Sequence, residues 1–176
     1  TGLFIRPVIE LMPGFAAQVF DSGSDGFAVL MSAIGFGAMI SCLWVGMRGH
    51  TQGLTHLVTL SLLVQGGALV ASTQAGHIWI ATVCFAVVGF AMLVGGVGSQ
   101  TLIQNAVASD VRARVMSLFI IISWGLPAFG ALAAGWIASY VGMEATIAAG
   151  GVLTIALWLW ARPQATRLQV DLEKQD

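Results

Sequence analysis

Charge is what this sequence has least of. Asp, Glu, Lys and Arg make up 9% of its 176 residues, where an ordinary globular domain carries about 25%. Between Gly26 and Ser109 the single formal charge is Arg48. With 57% hydrophobic residues and a mean hydropathy of +0.89, the composition excludes an ordinary water-soluble domain. The net charge of −1 leaves no basic face of the kind that neutralises phosphates, which excludes a nucleic-acid partner. Cysteine is scarce as well. Cys42 and Cys84 lie inside apolar runs at no metal-ligand spacing and read as small packing residues. His50, His56 and His77 form neither the i,i+4 pair of a helical metal site nor a set with cysteine. No nucleophile elbow, no phosphate loop and no mid-span acid or histidine pair is present. The expectation is therefore no catalytic residue, no metal, no cofactor and no enzyme activity.

Long apolar runs fill the space that charge leaves. A bilayer's hydrocarbon core, ~30 Å thick, takes about 20 helical residues. The sequence divides into six such runs, at about 1–20, 27–45, 54–72, 78–103, 115–138 and 145–161, followed by a charged tail, 162–176. The fold class expected is all-α, a polytopic membrane protein of six transmembrane helices. The chain opens on Thr1, with no basic region or small-residue cleavage site ahead of the apolar sequence, so no signal peptide is read there. The reading is a cut through a longer chain, with the first helix truncated.

One polar stretch organises the rest. Asn105-Ala-Val-Ala-Ser-Asp110-Val-Arg112-Ala-Arg114 sits between two of the longest runs. A charge at the bilayer centre costs several kcal/mol, so this stretch must be a water-facing loop. Alternating spans put Arg48, Arg112, Arg114, Arg162, Arg167 and Lys174 on one side, while the opposite loops hold Asp21, Asp25, His77 and Glu144 without Lys or Arg. Short basic loops stay cytoplasmic, which places the C-terminus in the cytoplasm. Tryptophan agrees: Trp44, Trp158, Trp160, Trp79 and Trp136 fall near span ends, where indoles favour the interface, and Trp124 sits inside. Small residues four apart (Ala33, Gly37, Ser41; Ala91, Gly95, Ser99; Ala131, Gly135, Ser139) mark surfaces of close helix approach. They fit either static packing or helices that rock.

Site candidates are few. Arg6 and Glu10, four apart, share one face of a helix and can pair. Ionisable residues within a span usually face a bundle interior or a water-filled cavity, so the pair reads as a proton-coupling or cavity site, or as a structural ion pair near an interface. Gln65, near mid-span, reads as an interhelical hydrogen-bonding residue or a substrate contact. Trp124 reads as core filling or as a cavity wall. Gln100, Gln104 and Asn105 at the end of the fourth span, with Arg48, Asp110, Arg112 and Arg114, are loop or gate candidates.

Gln104-Asn-Ala-Val-Ala-Ser-Asp110-Val-Arg-Ala-Arg114-Val-Met-Ser-Leu118, followed by Trp124-Gly-Leu-Pro127-Ala-Phe-Gly130-Ala-Leu-Ala-Ala-Gly-Trp136, resembles the C-terminal half of a major facilitator superfamily transporter. Arg6-Pro-Val-Ile-Glu10-Leu-Met-Pro13 resembles the seventh helix of the bacterial exporter branch that includes enterobactin-type siderophore and macrolide efflux proteins. Ala108 and Ala113 stand where that superfamily often has proline and glycine, and 46–53 keeps only Gly, Arg and Gly of its cytoplasmic loop motif. The superfamily is built from two six-helix halves with the substrate site at mid-membrane. The resemblance thus implies half of a secondary active transporter: a proton-coupled exporter of drug- or siderophore-like small molecules in the bacterial inner membrane. Its partners would be the lipid bilayer, an N-terminal six-helix half, a small-molecule substrate and protons. The alternative is a membrane scaffold or half-length remnant that transports nothing.

Overall fold

The computed structural model describes residues 12, 23–48 and 53–172. Five α-helices carry them: α1 (Gly23–Arg48), α2 (Leu54–Thr73), α3 (Ile78–Ala106), α4 (Arg112–Val141) and α5 (Met143–Leu172), with no strand among the described residues. The shortest has 20 residues and the longest 30, and a rise of ~1.5 Å per residue lets even the shortest cross a ~30 Å core. All five are long and apolar enough to span a membrane. The first expected span, with Arg6 and Glu10, lies outside the described residues except for Met12. That side chain is fully buried in the core.

Local chemistry sets the breaks. Gly53, at a φ of 73°, precedes α2, a left-handed backbone that glycine adopts without a Cβ clash. His77 leads into α3 in an extended conformation. Gly142 alone separates α4 from α5, at a φ of 93°, a narrower break than the turn expected over 139–144. At the other end α5 runs through Arg162 and Pro163 to Leu172, well past the point where the composition turns polar. Proline removes one intrahelical bond, and the following Gln164 and Ala165 are good helix formers.

Helix approach is set by glycine. α1 packs on α3, where a methyl group on Gly37 would strike the Ala86 carbonyl and one on Gly89 the Ile34 carbonyl. α2 meets α3 where Gly95 faces the Ser61 Oγ, 2.7 Å from an added Cβ. On its other side α2 meets α5 glycine to glycine: a Cβ on Gly66 would lie 2.7 Å from the Gly151 oxygen, and one on Gly151 2.9 Å from the Gly66 oxygen. In lipid, where apolar side chains gain little by meeting one another, such close backbone approach supplies dispersion contact that larger residues would prevent. The result is a row, α1–α3–α2–α5.

The buried core draws Leu30, Leu69, Ala75, Ala81, Phe85, Val88 and Ile147 around Met12. These belong to the end of the bundle where α2 turns into α3. The end that gathers Arg48, Arg112 and Arg114 is less filled. Hydroxyls within the helices are satisfied along their own backbone: Ser61 donates to Val58 O at 2.7 Å, Ser72 to Leu69 O at 2.7 Å, and Thr154 to Gly150 O at 2.8 Å. That back-bonding lets a polar side chain sit in an apolar span. Ser41 and Gln65 are not served this way. Neither the Ser41 hydroxyl nor the Gln65 amide has a hydrogen-bond partner among the described residues.

α4 stands largely outside the row. It touches α3 and α5 lightly, and of its residues Pro127 and Ala138 are buried. Phe129, Leu132, Trp136 and Tyr140 are all exposed.

Candidate functional site

The separation of α4 from α3 makes a cleft. It holds about 510 Å³, with Ile34 and Ala38 of α1, Met92, Gly96, Ser99 and Gln100 of α3, and Phe119, Ser123 and Trp124 of α4 among its walls. Its volume falls in the range of small-molecule sites, ~300–1,000 Å³. The cleft exists because α1 and α3 are drawn together at Gly37 and Gly89 while α4 diverges. Gly96 enlarges it, having no atom within 4 Å of where a side chain would start.

The lining is apolar and aromatic with a few uncharged polar groups. The Ser99 hydroxyl already donates to Gly95 O at 2.6 Å, which leaves its oxygen free to accept only. The exposed Gln100 amide and the Ser123 hydroxyl offer both donor and acceptor. Among the described residues no charged side chain lines the cleft. Such a surface suits binding and passage of molecules with apolar or aromatic bodies and a few hydrogen-bonding groups. It holds no nucleophile beside a base, and no group of three His, Cys, Asp or Glu that would hold a metal occurs among the described residues.

The sequence candidates fall in different places. Trp124 is on the cleft wall, 63% exposed, and Gln100 lines the same cleft. Gln65 is elsewhere, fully buried in α2, between the Ser61 and Gly66 contacts to α3 and α5. Arg48 lies 5.7 Å from the Trp44 ring centroid, a cation–π distance, and its Nη2 comes 3.3 Å from where a Cβ on Gly53 would sit. Arg48 thus folds back over the start of α2. Arg112 donates from Nε and Nη2 to Val107 O, at 3.4 and 3.3 Å, so its cation caps the carbonyl end of α3. Gln104 and Asn105 are half-buried in the last turns of α3, and Asp110 and Arg114 are exposed. Arg48, Gln104, Asn105, Asp110, Arg112 and Arg114 therefore share one end of the bundle, away from the buried core. Arg6 and Glu10 lie outside the described residues.

Met92, Gly96, Phe119 and Ser123 line the cleft without having stood out in the sequence. Each is an unremarked member of an apolar run. Their only signal was proximity to Gly95 and Trp124, and no pattern tells a lining residue from a lipid-facing one when a helix is apolar on every side.

A family model described as transmembrane secretion effector matches residues 1–174. No curated protein and no solved structure matches the chain.

Proposed function

We infer, for a chain that belongs to the transmembrane secretion effector family of the major facilitator superfamily, a proton-coupled exporter of small molecules that works by alternating access. The chain is an integral membrane protein of transporter type. The finer reading is that its helices form one half of the transporter and that a second six-helix half closes the substrate path against α4. The observation that carries it is the cleft between α1, α3 and α4, which has binding-site volume, walls uncharged among the described residues and an otherwise uncovered helix on one side. It sits nearer the arginine-rich end than the buried core does, so in this conformation it is placed to load from the basic side. By the asymmetry of the loops that side is the cytoplasm, and the resemblance to bacterial exporters implies the inner membrane of a bacterium. Glu10, held by Arg6, is assigned the proton; this rests on their spacing in the sequence and on the resemblance to exporters.

Trp124 tests the assignment. In the full-length protein, Trp124→Ala should raise the KM for exported aromatic compounds several-fold and alter the order of preference across a substrate panel. Trp136→Ala, which removes an equally exposed indole of the same helix outside the cleft, should leave both unchanged. Parental KM and preference in Trp124→Ala protein that reaches the membrane in normal amount would remove the cleft from the transport path.

A further inference from the structure

Among the described residues, Gly89, Gly95 and Gly96 of α3 line the cleft between α1, α3 and α4. The first two are packing residues. A Cβ on Gly89 would strike the Ile34 carbonyl of α1, and one on Gly95 would lie 2.7 Å from the Ser61 Oγ of α2. Gly96 is placed differently. It is exposed, and no atom of the described residues comes within 4 Å of the point where its side chain would start. A glycine inside a helix costs stability relative to alanine. At Gly89 and Gly95 that cost is offset by close helix approach, whereas at Gly96 what is gained is room in the cleft.

Spacing sets Gly96 at the middle of its wall. Met92, Gly96 and Gln100 follow one another at intervals of four, so they share one face of α3, and all three line the cleft. With hydrogen alone at Gly96, the helix backbone itself is the cleft surface between the Met92 thioether and the Gln100 amide. From α4 come Phe119, then Ser123 one turn further on, with Trp124 beside it. A bare stretch of backbone lets a planar ring approach to van der Waals distance. Aromatic walls hold such a ring by offset or edge-to-face contact, and a thioether sulfur favours ring edges in the same way. Any larger side chain at Gly96 would stand where the ring lies.

We propose, on the reading of this cleft as the substrate site, that Gly96 sets its size limit and that its preferred occupants are planar fused-ring aromatic compounds. The ring system lies with the α3 backbone at Gly96 on one side and the Phe119 and Trp124 rings of α4 on the other. Gln100 and Ser123 bond a polar substituent, since each offers both a donor and an acceptor. Leucine at this position favours the helix more than glycine does, so it removes the space and keeps the element that frames it. The discrimination then falls on ring count.

Equilibrium dialysis of the purified full-length protein against aniline, naphthylamine and aminoanthracene tests it, because the three share one amine and differ only in fused rings. Saturable binding by the parent should tighten with each added ring. Gly96→Leu should weaken aminoanthracene binding about ten-fold or more, the scale on which a pocket rejects a group it cannot seat, and leave aniline within about two-fold. Gly96→Ala, whose single methyl fills less of the space, should fall between parent and Gly96→Leu, and it carries the test if the leucine variant fails to insert. Gly67→Leu, which adds the same side chain at an exposed position of α2 outside the cleft, should bind all three amines like the parent. No saturable binding of aminoanthracene by the parent, binding unchanged in both Gly96 variants, an equal loss for all three amines, or the same loss in Gly67→Leu would overturn the proposal. Binding is read without a pH gradient, so these outcomes leave the transport reading to the Trp124→Ala efflux measurement, which succeeds or fails on its own.

Discussion

Gln65 concentrates the tension between packing and polarity in this bundle. Its side chain is fully buried, and neither its amide nitrogen nor its oxygen has a hydrogen-bond partner among the described residues. A buried amide left unsatisfied costs roughly 1–3 kcal/mol, whereas replacing it with an apolar side chain of similar size removes that penalty at little packing cost. Gln65→Leu should therefore unfold at a higher temperature than the parent, by an amount equivalent to roughly 1–3 kcal/mol. Thermal unfolding of the purified protein in detergent checks this, and a lowered midpoint would mean the amide is engaged after all. The residue was conspicuous in the sequence as a polar side chain in an apolar run. Its isolation was not, because that depends on which faces of α3 and α5 close over it. Trp124 and Gln100 stood out for the same reason as Gln65, by composition, and both line the cleft. Met92, Phe119 and Ser123 line it as well, and their residue types are ordinary for a membrane helix.

At the scale of helices, run length made α1, α2 and α3 legible, because some twenty apolar residues between polar breaks leave one way to satisfy the backbone in lipid. Helix ends were less so. α5 carries on through Pro163 to Leu172, since a change from apolar to polar residues marks the edge of the hydrocarbon and not the end of hydrogen bonding. The stripes of small residues read alike in sequence but differ in space. Gly37 and Gly95 meet neighbouring helices closely, while Gly135 has nothing within 4 Å. Periodicity reports a smooth face and says nothing of what lies opposite. Orientation is a further property of the helices together. Gly76, exposed in the turn between α2 and α3, and Ala113, exposed at the start of α4, lie at opposite ends of the bundle. With Cys42 and Cys84 replaced by serine, a cysteine substituted for Gly76 should react with a membrane-impermeant thiol reagent added outside the cell. One substituted for Ala113 should react only after the membrane is opened. The reverse pattern would invert the topology inferred from the arginines.

For the molecule as a whole, the uneven distribution of contacts carries the functional argument. α1, α3, α2 and α5 form a close-packed row secured by glycine contacts, and α4 borders the row with most of its surface uncovered. A second half seated against α4 would enclose the cleft, and rocking of the two halves would expose it alternately to either side. Glu10 would carry the proton and Trp124 would meet the substrate. The most direct test is pH-gradient-driven substrate movement in sealed vesicles, measured for these 176 residues alone and for the same residues joined to the proposed six-helix half. The account predicts coupled transport by the joined protein and none by the 176 residues alone. Coupled transport by the 176 residues alone, or its absence from correctly inserted joined protein across a broad substrate panel, would contradict it.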